Sequence, residues 1–211
     1  MSTAEPNTSL TVADGSGTMF DRIAPRYDLL NRLLSLGRDS RWRRIVAGRV
    51  AASDPAVAVD VCSGTGDLAL ALDGPVIGAD FCLPMLVAAR TKAVRRRRLL
   101  PLCVADALQL PFPDAAVDVV TVAFGIRNFE ALDRGLAELA RVLRPGGRLL
   151  VLEFSRPRGV LGPVLGWWVR TVPPRVGRWI SGDSEAYSYL PATISSFPDG
   201  EGLCRELRTA G

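Results

Sequence analysis

Residues 59–72, VDVCSGTGDLALAL, constrain the fold more than any other stretch. A short apolar run enters a glycine turn and resumes as a second apolar run, the order strand, turn, helix. Two glycines two residues apart let the backbone turn sharply against a ligand, and in open α/β sheets such turns lie where ligands bind. The rest of the chain repeats the alternation. Strands are expected near 57–62, 75–80, 100–105, 116–123 and 148–154, with helices at 67–72, 83–96 and 129–143. The last helix places Leu132, Leu136, Leu139, Val142 and Leu143 at helical spacing and should stop at Pro145-Gly146-Gly147. Two more helices, about 19–34 and 38–51, precede the first strand. Strands apolar on both faces imply a parallel sheet covered on both sides, hence a doubly wound α/β fold.

The chain has 211 residues, 48% hydrophobic and 23% charged, enough for one globular domain with a full core. No apolar run reaches the roughly 18 residues of a membrane span. The start, MSTAEPNTSLTVADGSGT, lacks the basic and apolar regions of a secretory signal and reads as a disordered arm over 1–18, leaving a single domain over 19–211. Four scattered cysteines without a CxxC pair read as reduced thiols of a cytoplasmic protein. There is no histidine, which removes the Ser-His-Asp triad, histidine-based zinc sites and the commonest general base. No metal site is expected. Net charge is +4, and of 26 basic residues only Lys92 is a lysine.

What the glycine turn holds can be narrowed by chemistry. A phosphate loop needs a GK[ST] that is absent. A dinucleotide site would accept Gly64, Gly66 and Ala69, but Asp67 would set a carboxylate where the pyrophosphate should lie. A cofactor with a positive centre and no phosphate fits better, and S-adenosyl-L-methionine is one. Asp60, ending the first strand, then lies near its methionine part. Asp80, ending the second strand, can accept from both ribose hydroxyls. Asp106-Ala107, ending the third, can meet the adenine.

At this point the sequence resembles the class I methyltransferases, and within them the quinone C-methyltransferases of the UbiE/MenG type. The resemblance rests on MFDRIAPRYDLLNRLLSLGRDSRWRR, VDVCSGTGDLAL, DALQLPFPDAAVDVVTVAFGIRNF, RVLRPGGRLLVLEFSRP and the tail SYLPATISSFPDGEGLCRELRTAG. It implies cofactor contacts at Thr65, Asp80, Asp106 and Ala107, beside Asp60, Gly64 and Gly66. Cys62 and Ser63 stand where many methyltransferases have glycine or alanine, and Ala123 where some have serine. The implied reaction is methyl transfer to a ring carbon of a reduced prenylated quinone, demethylmenaquinol first. A benzoquinol, another small molecule, RNA, or cofactor binding without turnover are the alternatives.

Arg127 could stabilise the phenolate that makes the carbon nucleophilic, Asn128 could bond a quinol oxygen, and Tyr27 could cap the ring. The plain alternatives are a surface arginine at a helix start and a packed tyrosine. Residues 159–195 form an insertion in which Trp167, Trp168 and Trp179 stand among arginines, suited to a lid or to peripheral contact with the inner face of the cell membrane, or simply packed. The run Arg95–Arg98 reads as a solvated helix end, and no nucleic-acid partner is expected. By the resemblance the chain should lack the last two strands of its fold. The fifth strand would then be an open edge favouring a homodimer.

Overall fold

The structure is a computed structural model that describes residues 27–154, 171, 193 and 197–211, except the side chains of Tyr27, Leu30, Leu33 and Leu34. The expectations for 1–18 and 159–195 lie outside the described residues. Two helices, α1 (Tyr27–Leu34) and α2 (Asp39–Ala51), lead into β1 (Ala58–Val61). Then come β2 (Val76–Asp80), α3 (Leu83–Arg95), β3 (Leu102–Val104), β4 (Val117–Ala123), α4 (Leu132–Val142), β5 (Leu143–Leu152) and α5 (Gly200–Ala210). The five strands are parallel in the order β3-β2-β1-β4-β5.

Valine is the material of the central strands. All four residues of β1 are buried, as are the first six of β4, because β-branched side chains fit a pleated surface covered on both sides. Alternation sorts them onto two faces. Val59, Val61, Val120 and Val122 pack under α4 with Leu136 and Leu139, where Leu203 and Leu207 of α5 join them. Ala58 and Val119 face the opposite way, onto Val46 and Val50 of α2 and Leu68 and Leu72. Each fully buried valine or leucine contributes about 1.5–3 kcal/mol. Strand order reverses at β1, which lies between β2 and β4, so the crevice for a ligand opens at the carboxyl ends of these strands.

The doubly wound α/β sheet is confirmed, and several local expectations are corrected. The helix expected at 67–72 is only a 3-10 turn, Ala69–Ala71. Gly74-Pro75 must begin β2 a few residues later, which leaves no length for a full α-helix. The helix expected to begin at 129 begins at Leu132. Phe129 is extended and lays its ring against α4, where a side chain on Gly135 would come within 2.2 Å of it. Pro145-Gly146-Gly147 does not end that helix. Val142 does, and β5 starts at once and runs through the three residues with a register shift between Val117 and Val119 of β4. Asp60 is not the end of β1 but its third residue, and Asp106 lies two residues beyond β3. Among the described strands β5 has a single neighbour, β4.

Candidate cofactor and acceptor site

Because the five strands are parallel, their carboxyl ends lie at one edge of the sheet. The turn after β1 is held by carboxylates from the neighbouring strands. Asp80 closes β2 and is 6% exposed. Its Oδ2 accepts from the Gly64 amide at 2.8 Å and its Oδ1 from the Cys82 amide at 2.9 Å. It therefore fastens the glycine turn to the start of α3. Asp60 is fully buried, accepting from the Thr121 hydroxyl at 2.6 Å and the Ala69 amide at 3.0 Å. Thr121 is its register partner on β4, so this bond spans the point where strand order reverses. Burial pushes the Asp60 carboxyl up to about 7, against the lowering effect of those two bonds, and burial also raises Asp80.

Asp106 folds back on itself, its Oδ1 accepting from the Leu108 amide at 2.8 Å, and Ala107 packs half-buried on the core. Gly64 and Gly66 both have positive φ, +54° and +79°, and a side chain on Gly66 would press within 3.0 Å of Ala89. Thr65 is buried, its hydroxyl donating to Asp28 at 2.5 Å and accepting from Lys92 at 2.8 Å. Lys92 also pairs with Asp28 at 2.5 Å and Asp67 at 2.8 Å, and Arg43 reaches Asp67 at 3.1 Å. The carboxylate of Asp67 is thus neutralised by its neighbours and starts no helix. The electrostatic objection to a phosphate ligand drawn from it does not hold.

The second half of the site follows β4 and β5. Arg127 lies in a 3-10 turn, Ile126–Asn128. Its guanidinium is ion-paired with Glu153, the two side chains being 1% and 4% exposed. The surface-arginine alternative is excluded. Burial raises the Glu153 carboxyl above its ordinary range, while Arg127 pulls it back. Arg127 also lies 5.8 Å from the centre of the Phe154 ring. Phe154 stacks on Phe124 at 4.6 Å, Trp42 meets Phe154 edge-on at 6.1 Å, and Arg43 covers Phe124 at 5.4 Å. Phe124 and the two guanidinium groups are buried, while Trp42 and Phe154 reach the surface in front of them. A cleft of about 1290 Å³ opens beside them, floored by Leu150, Leu152 and Phe154 and walled by Ile45 and Arg205.

The two halves touch where Gly125 crosses Cys62. A side chain on Gly125 would come within 2.3 Å of the Cys62 Cβ. Cys62 and Phe124 both hold positive φ, +54° and +60°, a strain of about 1–3 kcal/mol each in a non-glycine residue, of the kind stored at functional sites. Burial raises the Cys62 thiol above its ordinary range, which favours the neutral thiol over the thiolate.

The sequence profile of the ubiE/COQ5 methyltransferase family matches residues 10–211. The chain belongs to this family. It is 50% identical over 199 residues to the demethylmenaquinone methyltransferase of Thermus thermophilus, covering 92% of this chain and 90% of that one. The protein of the same name from Deinococcus radiodurans is 47% identical, with 92% and 83% covered. The ubiquinone/menaquinone biosynthesis C-methyltransferase UbiE of Bordetella parapertussis is 41% identical, with 92% and 77% covered. In fold, the chain is similar to the [4+2]-cyclase SpnF, with a TM-score of 0.65, 24% identity, and 92% and 71% covered. It is also similar to a SAM-dependent methyltransferase from Thermotoga maritima, at 0.61, 22% identity, and 92% and 80% covered. These two support the class I methyltransferase sheet.

For this family member, the expected site residues come together at one edge. Asp60, Gly64, Thr65, Gly66, Asp80, Asp106 and Ala107 line the β1–β3 side, and Arg127 and Asn128 the β4 side. Tyr27 is the first residue of α1, and its side chain lies outside the described residues. Sequence reasoning missed Asp28, Arg43, Lys92, Glu153 and the aromatic trio. A signal existed for two of them: Asp28 stands next to Tyr27 in the YD…N block, and Glu153 stands inside LEFSRP.

Proposed function

We propose that this family member transfers a methyl group from S-adenosylmethionine to a ring carbon of a reduced prenylated quinone, demethylmenaquinol before a benzoquinol. The observation that carries the reading is the buried Arg127–Glu153 pair set against the Phe124–Phe154 stack, in a chain whose relatives are named for menaquinone and ubiquinone methylation. When bound, the cofactor supplies an electrophilic methyl group on a sulfonium. The glycine turn and the carboxylates of Asp80 and Asp106 fit its ribose and adenine, each acid retaining acceptor capacity beyond the backbone bonds it already makes.

On the acceptor side, Arg127 places a fixed positive charge where a quinol hydroxyl becomes phenolate, and the charge spreads to the ring carbon. Glu153 holds Arg127 in that orientation. With its carboxyl raised toward neutrality by burial, it can also take up the hydroxyl proton. The ring carbon would bond the methyl group as the methyl–sulfonium bond breaks to leave a neutral thioether; its own hydrogen would then leave as a proton while Glu153 returns the hydroxyl proton to the oxygen, so that one proton is released net per turnover. Alignment of the two reactants in a fixed site supplies much of the acceleration, roughly 7–11 kcal/mol in the best cases. Asn128 and Tyr27 are assigned to the quinol oxygens and ring. The cleft along β5 suits the prenyl tail. Among the described residues no helix is long and apolar enough to cross a membrane, and contact of the 159–195 segment with the membrane surface remains part of this reading.

Incubation with S-adenosylmethionine and each reduced quinone, followed by mass spectrometry, tests the reading. The expected result is singly methylated naphthoquinol in excess over benzoquinol. Cofactor binding with no methylated product from either would overturn it.

A further inference from the structure

Helix α3 is apolar on two sides, and the core uses only one. It packs on β2 and β3 with Met85, Leu86, Ala89 and Ala93 buried. Leu83, Val87 and Val94, spaced by four and seven residues, share the opposite face and are 58%, 57% and 70% exposed. Leu99, in the turn that follows, is 92% exposed. Four of the eight large apolar side chains that reach solvent among the described residues thus lie on one helix and its turn. Scattered singly, such residues need no explanation; aligned, they mark a contact. Cations frame them. Residues 81–105 hold Arg90, Lys92, Arg95, Arg96, Arg97 and Arg98 and no acidic residue. Lys92 belongs to the site, Arg96 reaches Asp67 at 3.7 Å and Arg98 reaches Asp73 at 3.7 Å. Arg90, Arg95 and Arg97 are exposed and have no ion pair among the described residues.

The end of the helix keeps a charge where a smaller residue would sit more easily. The Arg98 amide donates to the Ala93 carbonyl at 2.9 Å and the Arg97 amide to the Val94 carbonyl at 3.0 Å, the paired bonds of a helix stop with one residue in the left-handed region. That residue is Arg97, at φ +52°. Glycine is its usual occupant, and a side chain there is strained. The outer face of a helix is convex and offers a peptide no groove. The stripe is aliphatic, with no aromatic ring between residues 82 and 105 on which a nucleic-acid base could stack. A surface with negative charge above hydrocarbon answers both the arginines and the stripe, as it does for basic amphipathic helices. Leu83 follows Cys82, whose amide Asp80 holds at the cofactor turn, so the stripe begins beside the site. We propose that the outer face of α3, with the turn through Leu99, docks on the headgroups of an anionic lipid bilayer. This contact is separate from residues 159–195 and independent of which ring is methylated.

Flotation of the full chain with vesicles tests it, comparing phosphatidylcholine alone with phosphatidylcholine and phosphatidylglycerol in equal parts. The wild type should bind the mixed vesicles, less as salt is raised, and the neutral ones roughly tenfold more weakly or worse. Arg90→Gln, Arg95→Gln and Arg97→Gln combined should lower binding to the mixed vesicles roughly 100-fold, about fivefold for each cation near a charged surface. Val94→Ser with Leu99→Ser should lower it roughly tenfold. Arg97→Gly separates binding from folding. It relieves the strained position, so it should melt no lower than the wild type while binding the mixed vesicles roughly fivefold more weakly. A triple variant that floats like the wild type would place any membrane contact elsewhere, residues 159–195 included, and would overturn the proposal. So would serine variants with unchanged binding, which would leave charge as the whole attraction. A wild type that prefers a mixed-sequence RNA to the mixed vesicles, or that binds neither, would overturn it as well.

Discussion

The two halves of the site solve the problem of polar groups near a buried edge in opposite ways. On the β1–β3 side, charges are shared among many partners and stay half-exposed. Lys92, 23% exposed, serves Asp28, Thr65 and Asp67 at once, and the buried acids are tied to backbone amides. On the β4–β5 side of the site the Arg127–Glu153 pair lies almost wholly buried among aromatic rings. A distributed network loses little when one member is removed. A lone buried pair fails when either partner goes. The first arrangement suits a polar cofactor with many hydrogen-bonding atoms. The second suits an apolar ring on which one charge must develop at one place.

The contrast is broken most directly at Glu153. Glu153→Ala strands the Arg127 charge in the interior and should destabilise the fold by about 3–5 kcal/mol in urea unfolding. Replacing both partners by leucine and methionine should recover most of that stability and none of the turnover. If the single variant unfolds like the wild type, the pair is not buried in solution and the contrast collapses.

A smaller effect, with a pH signature, is expected at Asp60. Its folded carboxyl titrates near 7 against 3.8 unfolded, so the folded state binds the proton more tightly. The stability it contributes as a neutral acid is full below 3.8, declines as pH rises toward 7, and is flat above. Asp60→Asn should therefore melt progressively higher relative to wild type between pH 4 and 7, the gap reaching about 2–4 kcal/mol. A gap that does not widen with pH would mean Asp60 is ionised in the fold.

The smallest effect belongs to the network. Lys92→Met should cost no more than about 1 kcal/mol, and added salt should shrink the difference, because its partners retain Arg43 and water. A loss as large as that at Glu153 would erase the distinction between the halves.

What was legible in the sequence follows the same division. Asp80 and the glycine turn could be placed because a strand end and a positive-φ turn leave local patterns. Asp60 was misplaced along its strand, since an apolar strand gives no sign of which residue is last. Pro145-Gly146-Gly147 carried a true turn signal but the wrong element. Its backbone bends a strand, and the packing of β5 on β4 continues through it. Glu153 and Arg43 were passed over because their meaning lies in partners 26 and 24 residues away, and periodicity does not record such partners.

The one lysine has a further consequence. Its ammonium is the chain's single side-chain amine, held against two carboxylates and a hydroxyl. These partners surround the nitrogen and shield it from acylating reagents. Amine acylation of this side chain is therefore a built-in clock for the opening of the glycine turn, fast when α1 lets go and slow when the site is closed.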